Sequence, residues 1–186
     1  DRPQSLCRTL TALGQQTWPS LEIIVVADAG GMVAARRHPL GDALVLVENE
    51  CGGVAHARNQ GVAAASGDVI AFVDDDAVPE PTWAEFLARA FADPAIDAAT
   101  GLVRGRNGIS VQWGGRWVDG LADHGQIDLR SRRAHVPAVR AGQAVKLEGT
   151  NMAIRRAWLE RHGGFDPAFT FYLDDTDLSL RLRLSG

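Results

Sequence analysis

Long hydrophobic runs are missing from this sequence. Its best candidates, Leu21–Ala27 and Val69–Val73, are strand-sized and far short of the roughly 18 residues that a membrane-spanning helix needs. Cysteine is nearly absent: Cys7 and Cys51 supply neither a disulfide framework nor a metal-thiolate set, which points to a reducing, cytoplasmic setting. There is no surplus of basic charge either, since 19 Lys and Arg stand against 23 Asp and Glu for a net charge of −4. That balance excludes the polyanion-coating surface of a nucleic-acid binder. The five histidines show no metal-ligand spacing, and no repeat or low-complexity tract appears. What is there is an ordinary globular composition, 46% hydrophobic and 23% charged, in 186 residues, enough for one core and one domain over residues 1–186. The start Asp1-Arg2-Pro3 reads as a loop and carries no signal-like segment. The chain is therefore expected to be a piece of a longer protein truncated at both ends, with flanking segments that could hold it at the inner face of a membrane.

Leu6, Leu10 and Leu13 predict an amphipathic helix, loosened at Gly14 and ended by Trp18-Pro19. Leu21–Val26 and Ala43–Val47 read as strands buried on both faces, the first stopping at Asp28-Ala29-Gly30-Gly31. Gly52-Gly53 opens an Ala-rich helix to about Ala65, and Val69–Val73 is a third buried strand. Helices alternating with such strands predict an α/β fold with a doubly wound, mostly parallel sheet. Trp83, Phe86, Leu87, Ala90 and Phe91 mark one face of a further helix. The section from Asp93 to Val145 reads as variable and loop-rich, with strand-like pieces at Ala98–Val103 and Val136–Val139. Order returns with Lys146–Arg155 and a helix from Arg156 to His162, stopped by Gly163-Gly164. The strict alternation of Leu178, Leu180, Leu182 and Leu184 favours a strand.

Asp74-Asp75-Asp76 follows Ala71-Phe72-Val73 directly, which delivers three carboxylates to the carboxyl end of a buried strand, where open α/β sheets bind ligands. Adjacent like charges call for a cation, and Asp oxygens are hard ligands suited to Mg²⁺ or Mn²⁺. A solvated acidic turn is the plainer alternative. In the second cluster, Asp174-Asp175-Thr176-Asp177, one carboxylate caps a helix if the segment is helical, and Asp177 faces Arg181 four residues on. Gly52-Gly53 before a helix could admit a phosphate, Arg58 could be a ligand contact or an ion-pair partner, and Gly149-Thr150-Asn151 could line a pocket or turn the chain.

Taken in order, five stretches resemble the family 2 glycosyltransferases: Ala57-Arg58-Asn59-Gln60-Gly61, Ser66 to Asp76, Gly149 to Arg156, Gly163-Gly164-Phe165-Asp166 and Asp174-Asp175-Thr176-Asp177-Leu178. The resemblance covers nearly the whole chain and is poorest between Arg104 and Val145, the section that shapes the acceptor pocket in that family. It implies a GT-A, Rossmann-like fold, a nucleotide-sugar donor, a divalent metal and inversion at the anomeric carbon. The acceptor class is left open among glycan, lipid-linked sugar and small molecule. Carried over by position, Asp74 corresponds to the ribose contact, Asp75 to the variable middle member and Asp76 to the metal ligand. Asp28, Gly53 and Arg58 fall on the donor side, with Asp28 at the base contact. Gly149, Thr150, Asn151 and Asp174 fall at the acceptor or sugar pocket, and Asp175 falls at the catalytic base. The family carries a helix over Asp174–Leu184, which overrides the alternation. Its opening strand, and the turn that lines the nucleotide pocket, lie before Asp1. No Gln-x-x-Arg-Trp element of processive synthases occurs, which favours a non-processive transferase.

Two other readings compete. An aspartyl-phosphate phosphohydrolase also places Asp-x-Asp at a strand end, and would recruit Thr100, Lys146 and Asp174-Asp175, leaving the Arg58-Asn59, Gly149–Asn151 and Gly163–Asp166 stretches unexplained. A non-catalytic, sugar-binding relic of the same fold would differ by failing to turn over a donor.

Overall fold

The computed structural model describes residues 3–50, 52–127 and 137–185. Helix α1 (Pro3–Gly14) buries Leu6 and Leu10, one turn apart. Strand β1 (Ile23–Ala27) leads into helix α2 (Ala29–Arg37) and strand β2 (Leu44–Glu48), which runs parallel to β1 with Ile23 opposite Leu44 and Ala27 opposite Glu48. Side chains alternate along a strand. Ile23, Val25 and Ala27 pack with Leu44 and Leu46 against Leu6, Leu10 and Ala35, while Val26 turns the other way toward Gly61 of helix α3 (Val54–Ala64). This strand pair is thus covered on both faces, as a doubly wound sheet requires. Helix α2 was not expected, because Gly30-Gly31 reads as a loop. The structure shows Asp28 accepting the Gly31 N–H at 2.8 Å as its N-cap, which satisfies one of the free donors of the first turn.

Strand β3 (Val69–Phe72) lies in a different sheet. Next along the chain come helix α4 (Trp83–Ala90) and six short strands: β4 (Ala98–Thr100), β5 (Val103–Arg104), β6 (Val111–Trp113), β7 (Arg116–Asp119), β8 (His124–Gln126) and β9 (Gln143–Val145). They are followed by β10 (Met152–Arg155), helix α5 (Arg156–His162) and helix α6 (Asp174–Leu184). Strand β10 sits between β3 and β4 and is antiparallel to both, so among the described residues the mostly parallel sheet is realised only in part, at β1–β2. The section expected to be loop-rich instead forms two antiparallel ribbons, β5–β6 and β8–β7–β9. Of the expected strand-like piece Val136–Val139, Val136 lies outside the described residues, as does Cys51, and residues 137–139 carry no strand.

A second apolar cluster joins Phe72, Met152 and Ile154 of the β3–β10 pair to Trp158, Leu159, Phe165 and Leu178. Leu178 is fully buried and Leu182 packs on the same cluster four residues on, the spacing of a helix, so α6 follows the family expectation and not the leucine alternation. Phe86, expected on the buried face of α4, is exposed and lies against Arg89.

Candidate active site

Helix α3 aims Arg58 inward from its second turn. The guanidinium hydrogen-bonds the Asp174 carboxylate, donates to the Gly149 carbonyl at 3.1 Å, and lies 3.9 Å from Asp74. Its carbon stands 5.5 Å from the centre of the Phe165 ring. One cation therefore draws together Asp74 at the end of β3, the first acid of α6 and the turn before β10. Gly149 leaves room for this: an added Cβ would stand 2.6 Å from the Arg58 Nη2, so a side chain there would displace the guanidinium. Gly53 also has a conformational reason, since it enters α3 at φ +82°, a region that L side chains rarely adopt. The neighbouring Val54 N–H donates to the Thr170 carbonyl at 2.9 Å, which ties the start of α3 to the aromatic stretch before α6.

The turn between β9 and β10 carries the other contacts. The Thr150 side chain stands close enough to the Asp74 carboxylate to favour its charged form. Partial burial pushes the Asp74 carboxyl, whose side chain is still 50% exposed, modestly above its ordinary value, against the pull of Arg58 and Thr150, and Asp76 and Asp75 push it the same way as burial. A carboxyl raised in the folded state stabilises the fold while neutral; that contribution is complete below its unfolded value and is lost as pH rises through the folded one. Asp74→Asn is therefore expected to raise the thermal midpoint of the ligand-free protein at neutral pH, with the advantage vanishing at acid pH. Calorimetry across that range checks it, and equal midpoints at neutral pH would reject it.

Asp175 is placed differently from Asp174. The Asp174 side chain is 5% exposed and spent on Arg58, whereas that of Asp175 is 21% exposed. Its Oδ1 meets Lys146 Nζ at 2.6 Å, and its Oδ2 accepts the Gly149 N–H at 3.1 Å. Two fixed partners orient the carboxylate while its outer edge remains open to solvent. Alongside, Glu148 is buried and takes a bidentate pair from Arg116 at 2.9 and 2.7 Å, which pushes the guanidinium further above its ordinary value against the opposing effect of burial. Asp177 pairs with Arg181 at 2.7 Å, as the spacing predicts.

The structure thus brings Arg58, Asp74, Gly149, Thr150, Asp174 and Asp175 into one connected set. Asp75 and Asp76 continue the strand-end turn; Thr9 of α1 holds that turn by donating its hydroxyl toward the Asp75 and Ala77 carbonyls at 3.0 and 2.7 Å. Asp28 is exposed at the end of β1, where it caps α2. Asn151 is spent elsewhere: its Oδ1 accepts from Trp83 Nε1 at 2.9 Å and its Nδ2 donates to the Leu102 carbonyl at 3.2 Å, so its amide braces β4–β5 rather than opening onto a pocket. Glu148, Arg116 and Thr9 have no place among the sequence-predicted site residues, and Lys146 enters only in the phosphohydrolase reading. Lys146 did leave a signal, a cation inside the apolar run Ala144-Val145-Lys146-Leu147, which requires a buried counter-ion. No group of three His, Cys, Asp or Glu side chains among the described residues is arranged to hold a metal alone.

The chain is similar in sequence and fold to known glycosyltransferases. The chain is 25% identical over 180 residues to a glucosyl-dolichyl phosphate glucuronosyltransferase of Haloferax volcanii, covering 89% of this chain and 52% of the relative. It is 30% identical over 173 residues to a pre-mycofactocin glycosyltransferase of Mycobacterium tuberculosis, covering 89% of this chain and 34% of the relative. The chain therefore spans about half of the first relative and about a third of the second. Among solved structures, a mannosyltransferase from Pyrobaculum calidifontis in complex with GDP-Man and Mn²⁺ superposes with a TM-score of 0.58 at 28% identity, over 87% of this chain and 44% of that one. The TarS fragment 1–349 of S. aureus shares the fold, with a TM-score of 0.65 at 20% identity over 92% of this chain and 49% of that one. The family model described as Glycosyl transferase family 2 matches residues 1–163, and the chain belongs to that family.

Proposed function

We propose that the chain moves a sugar from a nucleotide-diphosphate donor to an acceptor hydroxyl in one inverting displacement, with Asp175 as the base. The observation that carries this reading is the Arg58 hub, which sets Asp74 of the donor-side turn beside Asp174, the neighbour of Asp175, across a single guanidinium. On the donor side we assign the nucleotide to Asp28, Gly53, Arg58, Asp74 and Asp75. The sugar lies beside Gly149, Thr150 and Asp174, and Asn151 shapes that wall from behind.

A divalent ion fits this donor set in one particular mode. The set consists of hard carboxylate oxygens at a turn, without three side chains able to enclose an ion, which is the chemistry of Mg²⁺ or Mn²⁺ held by one or two carboxylates and completed by substrate phosphates. Asp76 would hold it, and bound there the ion would offset diphosphate charge. That a mannosyltransferase of similar fold is in complex with GDP-Man and Mn²⁺ supports a divalent ion beside a nucleotide-sugar donor. The protein's own part is to keep Asp74 and Asp76 on a turn pinned by Thr9, to hold Asp175 between Lys146 and the Gly149 N–H, and to take the acceptor proton on the Asp175 carboxylate.

A thermal-shift panel of uridine, thymidine and guanosine diphosphates, with and without Mn²⁺, tests the reading, because ligand bound to the native state raises the midpoint with occupancy. One diphosphate is expected to stabilise the protein only with metal, and Asp76→Ala is expected to remove that shift while leaving the unliganded midpoint in place. Undiminished metal-dependent binding in the variant would reject the Asp76 assignment. Product analysis by NMR decides inversion, and absence of donor turnover would favour the binding relic.

A further inference from the structure

The β5–β6 hairpin gathers four large apolar side chains at the surface: Ile109 at its tip is 85% exposed, Val111 56%, Leu102 52% and Trp113 42%. In a chain of net charge −4, the stretch from Ala98 to Val118 holds Arg104, Arg106 and Arg116 and no Asp or Glu. Arg116 is committed to Glu148, whereas Arg104 has a loose contact with Glu80, 3.7 Å away on an exposed pair worth little, and a long hydrogen bond of 3.4 Å to the Gly108 carbonyl, and Arg106 is exposed. The tip is built to leave water cheaply. The Gly105 N–H donates to the Ser110 carbonyl, the Gly108 N–H to the Gly105 carbonyl, and the Ile109 and Ser110 N–H groups to Asn107 Oδ1, so these backbone donors are already satisfied.

The occupant follows from size and charge. A stable protein interface uses about 20–30 residues a side and about 800 Å² per partner, beyond what four side chains on a two-stranded ribbon provide. A bilayer surface asks only for a few apolar side chains, an interfacial tryptophan and cations facing anionic headgroups. The hairpin also abuts the catalytic set: the Trp113 ring lies under the Arg116 guanidinium at 4.6 Å, Arg116 grips Glu148, and the next residue, Gly149, donates to Asp175.

We infer that the β5–β6 hairpin docks the protein on an anionic lipid surface. Ile109 and Val111 enter the headgroup boundary, Arg104 and Arg106 meet lipid phosphates, and Trp113 sits at the interface. This names the acceptor class as a hydroxyl presented from a lipid surface. That last step alone rests on the transferase reading; the docking does not.

Vesicle co-sedimentation of the protein tests it, with pure phosphatidylcholine against phosphatidylcholine mixed with phosphatidylglycerol. Binding is expected to the mixed vesicles, to weaken with added salt, and to shift Trp emission to the blue, a shift lost in Trp113→Phe. Ile109→Ser with Val111→Ser is expected to cut partitioning about tenfold or more, with Mn²⁺-dependent nucleotide shifts unchanged. Arg104→Gln with Arg106→Gln is expected to abolish the preference for the anionic vesicle. Equal binding to both vesicles, no binding to either, or wild-type binding by both double variants would overturn the inference. So would a dimer that dissociates in the apolar variant. Failure of the nucleotide panel with vesicle binding intact would instead sink the transferase reading.

Discussion

Asp175→Asn is expected to lower kcat about 10²–10⁴-fold while leaving nucleotide affinity unchanged. The carboxylate is held by Lys146 and the Gly149 N–H and has an open edge, so it is the acid in α6 with both orientation and access. Asparagine keeps the shape and the contact with Gly149 but cannot take the acceptor proton. It also strands the Lys146 ammonium, whose side chain is 10% exposed and which keeps the Leu147 carbonyl at 2.9 Å, so the variant is expected to lose stability as well. Adding Lys146→Met separates the two effects: the double variant is expected to recover stability and not rate. Turnover is measured with the donor whose nucleotide the binding panel selects, and an Asn variant within a few-fold of wild-type kcat would remove Asp175 from the mechanism.

The largest stability effect is expected at Arg58. Arg58→Met leaves the Asp174 carboxylate buried without its cation, and breaking a buried pair in this way costs about 3–5 kcal/mol. The contrast is the Asp177–Arg181 pair one turn along α6, a part-exposed i,i+4 contact worth a few tenths of a kcal/mol. Urea denaturation of Arg58→Met against Asp177→Ala measures both. Arg58→Met combined with Asp174→Leu is expected to recover much of the loss, because no charge is then left buried. A cost below about 1 kcal/mol for Arg58→Met would show that Asp174 finds other partners.

The strands at Ile23–Ala27, Leu44–Glu48 and Val69–Phe72 were legible in the sequence as short apolar runs, although they are mostly half-buried rather than buried on both faces, with Ala71 exposed. Helix α3 was legible from its glycine entry and alanine content. Helix α6 misled the pattern reading, since alternating leucines look like a strand until one sees that Leu178 is buried and Leu184 exposed. The ribbons between Thr100 and Val145 were illegible because strands of two to four residues are too short to show a period. The two acidic clusters could be found by eye, but not the cation shared between them. Arg58 sits in a helix where a surface ion pair was an equal expectation, and only tertiary structure shows it turned inward. Asn151 reads as a pocket residue for the same reason: its partner Trp83 lies 68 positions away.

The ties that assemble the site span long stretches of chain: Thr9 reaches 66 residues ahead to Asp75, and Arg58 reaches 116 residues ahead to Asp174. Closing loops of that size is entropically late, whereas the β1–α2–β2 contacts are local. During folding the N-terminal strand pair is thus expected to acquire protection from hydrogen exchange first. Asp174 and Asp175 join Arg58 and Gly149 only when α6 docks, so a half-folded chain has a core but not the charge network that the proposed activity needs.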